Sequence, residues 1–274
     1  MTCSSKVSVL IAARNAEKTI TSAVRSCLIA LRKDDEILVY LDGCTDRTRE
    51  KLEKIRDKRV HYFESKVNIG RVAARNALFL KSSGQIIAIL DADDISLPWR
   101  FWWTRIQLKT CDAVFGSAFL FGKLPMKIPF APTYPFPISA EFSRLVLAYR
   151  NPFIHSTAAF WRDSVPNHPV LYQDIVAEEY DLWIRMATAK KRLAKSSVPL
   201  SCYRIHPGQI SQSPNFHFLG ISCGVLNANR EALIAQIYYE YGVNTLEAIK
   251  RIASSNFWIG LEERISGFMS KIWR

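Results

Sequence analysis

Short apolar runs alternate with amphipathic segments through the first hundred residues of the chain. The apolar runs predict buried strands at residues 7–12, 37–41, 60–64 and 86–90. The intervening segments carry apolar residues at helical spacing and predict helices over 15–28, 47–56 and 71–81. Strands that alternate with helices in this way are typical of a parallel, doubly wound sheet. We therefore predict an α/β protein with a parallel, doubly wound sheet flanked by helices.

The second half of the chain has a weaker pattern. Asn15 is the predicted N-cap of the first helix, and Thr45 or Asp46 that of the second. Later segments predict a strand at 113–121, a loop or lid over 123–142 that contacts an acceptor, a strand at 151–160 and a helix from Tyr180. Two amphipathic helices are predicted over 218–237 and 245–252. Trp99, Phe101, Trp102 and Trp103 form either an aromatic floor for a sugar or, as we favour, a helix packed on the sheet.

Polar or acidic residues follow each strand of the first half, and the fourth strand is followed by Asp91, Asp93 and Asp94. In a parallel sheet these strand ends share one edge, where open α/β sheets bind ligands. Clustered carboxylates repel one another unless a cation offsets them, and Mg²⁺ or Mn²⁺ suits such hard oxygen ligands. The pattern predicts a metal-diphosphate site. The alternative is a solvated acidic turn in which Asp93 or Asp94 caps a helix.

Composition limits the class of protein. The net charge of +12 favours anionic partners such as nucleotides, anionic lipids or nucleic acid, without choosing among them. The six cysteines form no C-x-x-C pair and are expected to be small apolar fillers in a reducing compartment.

Residues 1–6 lead directly into a strand, and the longest apolar run, 113–122, falls short of the roughly 20 residues of a spanning helix. We expect a soluble, cytosol-facing protein. The sequence has neither G-x-G-x-x-G after the first strand nor a P-loop motif, which argues against a dehydrogenase or P-loop enzyme.

Seven segments, in order, resemble the motifs of family 2 glycosyltransferases, which have the GT-A fold. That fold implies a Rossmann-like mixed sheet, mostly parallel and flanked by helices. They are Ala12-Ala-Arg-Asn15, Leu41-Asp-Gly-Cys-Thr-Asp46, Asn68-Ile-Gly-Arg-Val-Ala-Ala-Arg-Asn76, Leu90-Asp-Ala-Asp-Asp94, Asn151-Pro-Phe-Ile-His-Ser-Thr157, Ala177-Glu-Glu-Tyr-Asp-Leu-Trp-Ile-Arg-Met186 and Cys202-Tyr-Arg-Ile-His-Pro-Gly-Gln-Ile-Ser211. The resemblance implies a glycosyltransferase domain over residues 1–212, with a nucleotide-binding half of about 1–100 and an acceptor half of about 101–212. Residues 213–274 are then a helical C-terminal extension.

The resemblance also implies a set of donor-binding residues. They are Ala12, Ala13, Arg14, Asn15, Asp42, Asn68, Gly70, Arg71, Asp91, Ala92 and Asp93. Asp42 would accept the imide N–H of uracil, although it is equally a turn former beside Gly43. Arg71 or Arg75 would reach the diphosphate, with Arg71 favoured, and the alternative for both is a solvated helix face.

The metal ligands implied by the resemblance are Asp93, Asp91 and His206. Asp91 also lies near the ribose, and Arg204 would bind phosphate. Asp94 is a third acid or a cap for residues 95–98.

The catalytic base implied by the resemblance lies at Glu178-Glu179. Related enzymes usually carry Glu-Asp there, so Glu179 takes the place of the base, and Glu178 remains an alternative. Both residues also suit a helix N-terminus without any catalytic role. His155 is either a substrate contact or a structural histidine.

The function implied is an inverting glycosyltransferase that depends on Mn²⁺ or Mg²⁺ and uses a nucleotide-diphospho-sugar, with UDP favoured. The acceptor is a saccharide or lipid-linked hydroxyl in bacterial surface polysaccharide or glycolipid synthesis, and no nucleic-acid partner is expected. The rivals are a nucleotidyltransferase, whose Gly-rich basic loop does not match residues 12–15, and a nucleotide- or polyanion-binding protein with a degenerate site. The apolar spacing in the tail, 257–274, suits a membrane surface, packing on the domain or a dimer contact.

Overall fold

In the computed structural model, which describes residues 5–122, 132–133, 136–166, 169–206, 223–242 and 247, one mixed sheet forms the centre of the molecule. Its strands are β1 (Val7–Ala13), β2 (Glu36–Asp42), β3 (Val60–Ser65), β4 (Ile86–Ile89), β5 (Ile95–Ser96), β6 (Ala113–Gly122), β7 (Pro132–Thr133), β8 (Ala159–Trp161) and β9 (Leu193–Ile205). The strand order is β3-β2-β1-β4-β8-β6-β9-β5, with β7 paired to β6. The predicted α/β class is confirmed.

Parallel ladders dominate this sheet. β3, β2, β1 and β4 are all parallel, and the long β6–β9 ladder is parallel too. β8 is antiparallel to both β4 and β6, and so it joins the two parallel parts. The carboxyl ends of β1, β2 and β4 therefore meet at one edge, as the sequence predicts.

Helices cover both faces of the sheet. They are α1 (Ile20–Ala30), α2 (Thr48–Glu53), α3 (Arg71–Lys81), α4 (Arg100–Gln107), α5 (Ala140–Leu147), α6 (Glu178–Thr188) and α7 (Gly224–Tyr241), with short 3-10 helices at His155–Thr157 and Arg162–Ser164. α1, α2 and α4 pack on one face and α3, α5, α6 and α7 on the other. Because side chains alternate along a strand, Val9 and Leu10 of β1 enter opposite cores. Among the described helices, none combines the length and the apolarity that crossing a bilayer requires.

Four local predictions need correction. The first helix begins at Ile20 and not at Asn15, because Asn15 has a φ of 49° and its side chain accepts a hydrogen bond from Thr45 N across the loop. The strand predicted at 151–160 is reduced to β8, since a 3-10 helix interrupts it. The loop predicted to extend to 142 ends at Ser139, whose hydroxyl accepts a hydrogen bond from Phe142 N and so caps α5. The helix predicted at 218–237 begins at Gly224, after the extended Cys223, and ends at Tyr241, while residues 218–222 lie outside the described residues.

The remaining predictions for these regions have mixed outcomes. The helix 71–81 has the predicted bounds. Asp46 Oδ1 accepts a hydrogen bond from Thr48 N, the first residue of α2, but the N-cap position is Arg47, so the predicted N-cap is wrong by one residue. The aromatic helix packs on the sheet through the fully buried Phe101, while Trp102 is 57% exposed. Most of the predicted lid and the helix 245–252 lie outside the described residues.

A close approach between β6 and β9 generates a stability prediction. A Cβ at Gly116 would lie 2.7 Å from both Leu200 Cδ1 and Val198 O, where the register of the ladder shifts. We expect Gly116→Ala to lower the free energy of unfolding by about 1–3 kcal/mol through overpacking. Urea denaturation measures the change. Gly224→Ala is the control, because nothing lies within 4 Å of its Cβ position, and equal midpoints for the two variants would contradict the prediction.

Candidate active site

The loops that follow β1, β2 and β3 touch one another at the carboxyl edge of the sheet. Asn15 Oδ1 accepts a hydrogen bond from Thr45 N at 2.9 Å, which joins the first loop to the second. Gly43 has a φ of +58°, and a Cβ there would lie 2.5 Å from Asn68 N. Only glycine permits this contact between the second and third loops. The predicted donor-binding segments around Ala12, Ala13, Arg14 and Asn15 therefore lie beside Asp42 and the 67–70 loop.

Asp42 organises the third loop. Its carboxylate is buried, and its two oxygens accept hydrogen bonds from Ile69 N at 2.6 Å and Gly70 N at 3.1 Å. Asn68 Oδ1 also accepts a hydrogen bond from Gly70 N, and Gly70 has a φ of 91°. The geometry gives Asp42 a structural role in the loop that precedes α3. A contact between Asp42 and a base stays a prediction.

Arg75 joins three distant parts of the chain. Its side chain is 8% exposed, and its guanidinium donates to Asp91 Oδ1 at 2.7 Å and to Glu178 Oε1 at 2.8 Å. These bonds link α3 to the end of β4 and to the first turn of α6. The preference for Arg71 at the diphosphate stays a prediction, whereas the solvated helix face considered for Arg75 is wrong, because Arg75 is the buried centre of the cluster.

Arg71 faces the same glutamate from the solvent side. Its Nε lies 2.6 Å from Glu178 Oε1, and its Nη2 donates to Glu178 Oε2 at 2.7 Å. The side chain is 35% exposed, whereas that of Glu178 is 0% exposed. Arg71 therefore borders the open side of the cluster, where an anionic ligand would approach.

Glu178 and Glu179 are neighbours with opposite pKa shifts. Burial by itself raises the pKa of Glu178, but the charge and hydrogen bond of Arg71 and the charge of Arg75 outweigh burial and lower it. Burial, followed by the negative charge of Glu178, raises the pKa of Glu179 to about 7. Two carboxyl groups with divergent pKa values are a mark of acid–base chemistry. Glu179 has the proton affinity of a general base, whereas Glu178 is held as an anion by two arginines.

His155 is buried beside the same cluster. Its Nε2 lies 2.8 Å from the Tyr172 hydroxyl, and its Nδ1 lies 4.0 Å from Asp91 Oδ1. Burial and the nearby Arg75 charge lower the pKa of His155 to about 3, so the imidazole is neutral. Asn76 holds Tyr172 by a reciprocal pair of hydrogen bonds to its backbone, each 2.8 Å long. Sequence reasoning missed Tyr172, because nothing near it in the chain marks the contact.

The acidic turn after β4 is held by residues from the far end of the described domain. Asp93 Oδ2 lies 2.9 Å from His206 Nε2, and Arg204 Nε donates to the Asp93 carbonyl at 2.8 Å. Asp94 is buried, and its carboxylate accepts hydrogen bonds from Ser156 Oγ at 2.5 Å and Arg204 N at 2.8 Å. Asp94 therefore ties β9 to the 3-10 helix at His155–Thr157 and does not cap residues 95–98, which corrects that alternative.

The residues at this turn were tested for their fit to a divalent cation. Within the described ranges, no group of three or more His, Cys, Asp and Glu side chains converges on one point. Asp93 and His206 do meet, whereas Asp91 is bonded to Arg75. Burial and the charge of Asp91 raise the pKa of Asp93, and the hydrogen bond to His206 opposes that rise. One carboxylate and one imidazole fit a Mn²⁺ or Mg²⁺ ion that takes its other ligands from a substrate diphosphate.

Comparison with known proteins supplies the family. The sequence profile of Glycosyl transferase family 2 matches residues 8–145. The Escherichia coli protein UDP-Glc:alpha-D-GlcNAc-diphosphoundecaprenol beta-1,3-glucosyltransferase WfaP is 29% identical over 211 residues, which are 75% of this chain and 79% of that protein.

Two solved structures share the fold. S. aureus TarS 1-349 in complex with UDP-GlcNAc has a TM-score of 0.65 at 17% identity, covering 94% of this chain and 77% of that one. The mannosyltransferase PcManGT from Pyrobaculum calidifontis, in complex with GDP-Man and Mn²⁺, has a TM-score of 0.55 at 17% identity, covering 98% and 87%. The expected GT-A architecture is confirmed. The chain thus belongs to glycosyl transferase family 2 and is a glycosyltransferase with the GT-A fold.

Proposed function

We propose that this glycosyltransferase moves a sugar from a UDP-sugar to a hydroxyl of a lipid-linked saccharide, with inversion at the anomeric carbon. The observation that carries the proposal is the Glu178–Glu179 pair, in which one carboxylate is fixed by two arginines and its neighbour has a pKa of about 7. WfaP, a glucosyltransferase named for a UDP-Glc donor and a diphosphoundecaprenol-linked acceptor, supports both classes, and the TarS complex with UDP-GlcNAc supports the donor class.

The donor side of the proposal uses the carboxyl edge of the sheet. Loops 12–15 and 42–46 would hold the base, and Asp91 would face the ribose. Arg71, as the exposed arginine of the cluster, would exchange its contact with Glu178 for the diphosphate. Asp93 and His206 would hold Mn²⁺ or Mg²⁺, which when bound offsets the negative charge that develops on the departing nucleoside diphosphate.

The acceptor side uses Glu179 as general base. Its carboxylate removes the proton from the acceptor hydroxyl as that oxygen attacks the anomeric carbon. The bond from the anomeric carbon to the diphosphate oxygen breaks on the opposite face of the sugar, so the configuration inverts. The longer side chain of Glu, compared with the Asp that is usual at this place, sets how far the base extends from α6. Glu178 keeps Arg71 and Arg75 in position beneath it.

The donor class is tested by thermal unfolding with UDP, GDP, CDP and ADP, each with and without MnCl₂. A ligand that binds the folded state raises Tm by mass action, so UDP with Mn²⁺ is expected to give the largest rise. Asp93→Ala should remove the part of the shift that depends on Mn²⁺. Exposed Asp174→Ala is the control and should retain it. A chain whose Tm responds to none of the nucleotides would contradict the donor proposal.

The base is tested by the pH dependence of turnover. Because the pKa of Glu179 is about 7, kcat/KM should rise as the pH increases through 7 and Glu179 loses its proton. Glu179→Gln should lower kcat by about 10²- to 10⁴-fold and abolish that acidic limb. UDP release from a panel of UDP-sugars measures both effects. If the variant keeps the acidic limb, another group is the base. If the wild type binds nucleotide without transfer, the degenerate binding protein is the better description.

Contact with a membrane surface follows from a lipid-linked acceptor. The segment predicted to make it, 257–274, lies outside the described residues. We expect the full chain to co-sediment with phosphatidylglycerol vesicles at low salt and not with phosphatidylcholine vesicles, since the tail combines apolar and basic residues. Phe268→Glu with Ile272→Glu should release it. A wild-type chain that stays in the supernatant with anionic vesicles would contradict this contact.

A further inference from the structure

Arg100, in the first turn of α4, is a buried cation without an ion-pair partner. It is 0% exposed, and its Nε and Nη1 lack hydrogen-bond partners within the described ranges. The other buried arginines of that part differ, since Arg75, Arg105 and Arg185 each bond to a carboxylate. A buried charge without such a partner is costly, and each one in a folded protein calls for an explanation.

The polar contacts of Arg100 lie directly behind the acidic turn. Its Nη2 donates to the carbonyl of Ile89 at 2.6 Å and lies 3.4 Å from the carbonyl of Ala158. Ile89 is the last residue of β4, and its N–H donates to the same Ala158 carbonyl at 3.0 Å. The guanidinium therefore contacts two backbone segments. One lies two residues before Asp91, and the other lies two residues after Ser156.

The charge of Arg100 acts on the same turn. Burial lowers the pKa of Arg100 to about 10, which still leaves the group protonated at neutral pH. The favourable electrostatic partners are Cys27, Asp94 and Asp91, in that order. Cys27 is itself fully buried, and burial raises its pKa to about 12, so it carries no charge that would neutralise Arg100. The positive charge is left to face the aspartates.

A fixed, buried positive charge can offset negative charge at the acidic turn when a nucleoside diphosphate is bound. Asp91, Asp93 and Asp94 lie together at the strand end, and a nucleoside diphosphate would bring further negative charge there. Arg71 and Arg75 are engaged with Glu178 and Asp91 on the α3 side. Arg100 approaches from the opposite core, under α4. In a dry interior such a charge is weakly screened and acts over a longer range than one at the surface.

We propose that Arg100 is a positioning residue of the donor site, which anchors the Ile89 carbonyl and offsets the negative charge of the acidic turn when a nucleoside diphosphate is bound. Arg100 acts through its hydrogen bond to the Ile89 carbonyl and through the electrostatic field of its charge, without touching the substrate. The inference rests on the proposed function, because it assumes that this edge binds the donor. It identifies a residue that the seven motifs do not include.

The test compares Arg100→Met with Arg105→Met, a matched change on the same helix. Arg105 is also buried, but it bonds to Asp35, whose carboxylate holds Val7 N and Arg32 N at the opposite edge of the sheet. Arg105→Met leaves the buried Asp35 carboxylate without its cation and should lower Tm. At a temperature where circular dichroism reports both as folded, calorimetry with UDP and MnCl₂ should give a Kd at least tenfold higher for Arg100→Met. Arg105→Met should stay within twofold of the wild type.

An uncharged probe separates positioning by charge from general damage. Uridine lacks the diphosphate, so Arg100→Met should change its Kd less than twofold. Arg100→Lys keeps the charge and should recover UDP affinity to within about threefold of the wild type. Should Arg100→Met not fold, Arg100→Gln takes its place, since it can still donate to the Ile89 carbonyl but carries no charge, and the same tenfold loss is expected.

Two results would overturn the inference alone. One is a folded Arg100→Met or Arg100→Gln that binds UDP with Mn²⁺ as tightly as the wild type. The other is an equal loss of affinity for UDP and for uridine, which marks a packing defect. A wild-type chain that fails to bind UDP with Mn²⁺ would instead overturn the proposed donor, and this inference with it.

Discussion

The active-site edge depends on the buried guanidinium of Arg75. It bonds at once to Asp91, at the end of β4, and to Glu178, in the first turn of α6. Removal of one partner from a buried ion pair leaves an uncompensated charge, which typically costs about 3–5 kcal/mol. Arg75 therefore fixes the distance between the acidic turn and the helix that carries the two glutamates. A single side chain thus joins the two parts of the chain to which we assign the donor and the acceptor.

The different properties of Glu178 and Glu179 follow from that bond. Glu178 is turned into the protein and gives its oxygens to Arg71 and Arg75. Its negative charge then acts on Glu179, which burial already disfavours as an anion. Adjacent residues of the same type thus acquire opposite pKa shifts, because one faces two cations and the other faces an anion. A substitution at Glu178 is therefore expected to alter the proton affinity of Glu179 as well as the positions of the two arginines.

The mixed sheet explains why residues from both ends of the domain meet at the acidic turn. The parallel half brings the ends of β1, β2 and β4 together, and the antiparallel β8 returns the chain beside β4. The long β9 then runs parallel to β6 and delivers Arg204, and His206 just beyond it, to Asp93 and Asp94. β8 and β9 thus each bring further residues of the second half of the chain to the same edge of the sheet. α7 extends the core beyond the 212-residue domain predicted from the motifs, through Leu226, Leu233 and Ile237.

The sequence by itself determined the alternation of strands and helices, the bounds of α3 and the acidic end of β4, because hydrophobic periodicity and strand-end chemistry are local properties. It could not show that Arg75 is buried between Asp91 and Glu178, find Tyr172, or recognise that Asp94 is a buried link and Arg100 a buried charge without an ion pair. It also misplaced the start of α1, where the Asn15 side chain bonds to a different loop. Each of these depends on partners far away in the chain, and Arg75 and Glu178 are 103 residues apart. Only the topology of the sheet decides which of these residues become neighbours, and burial then decides which of them are charged.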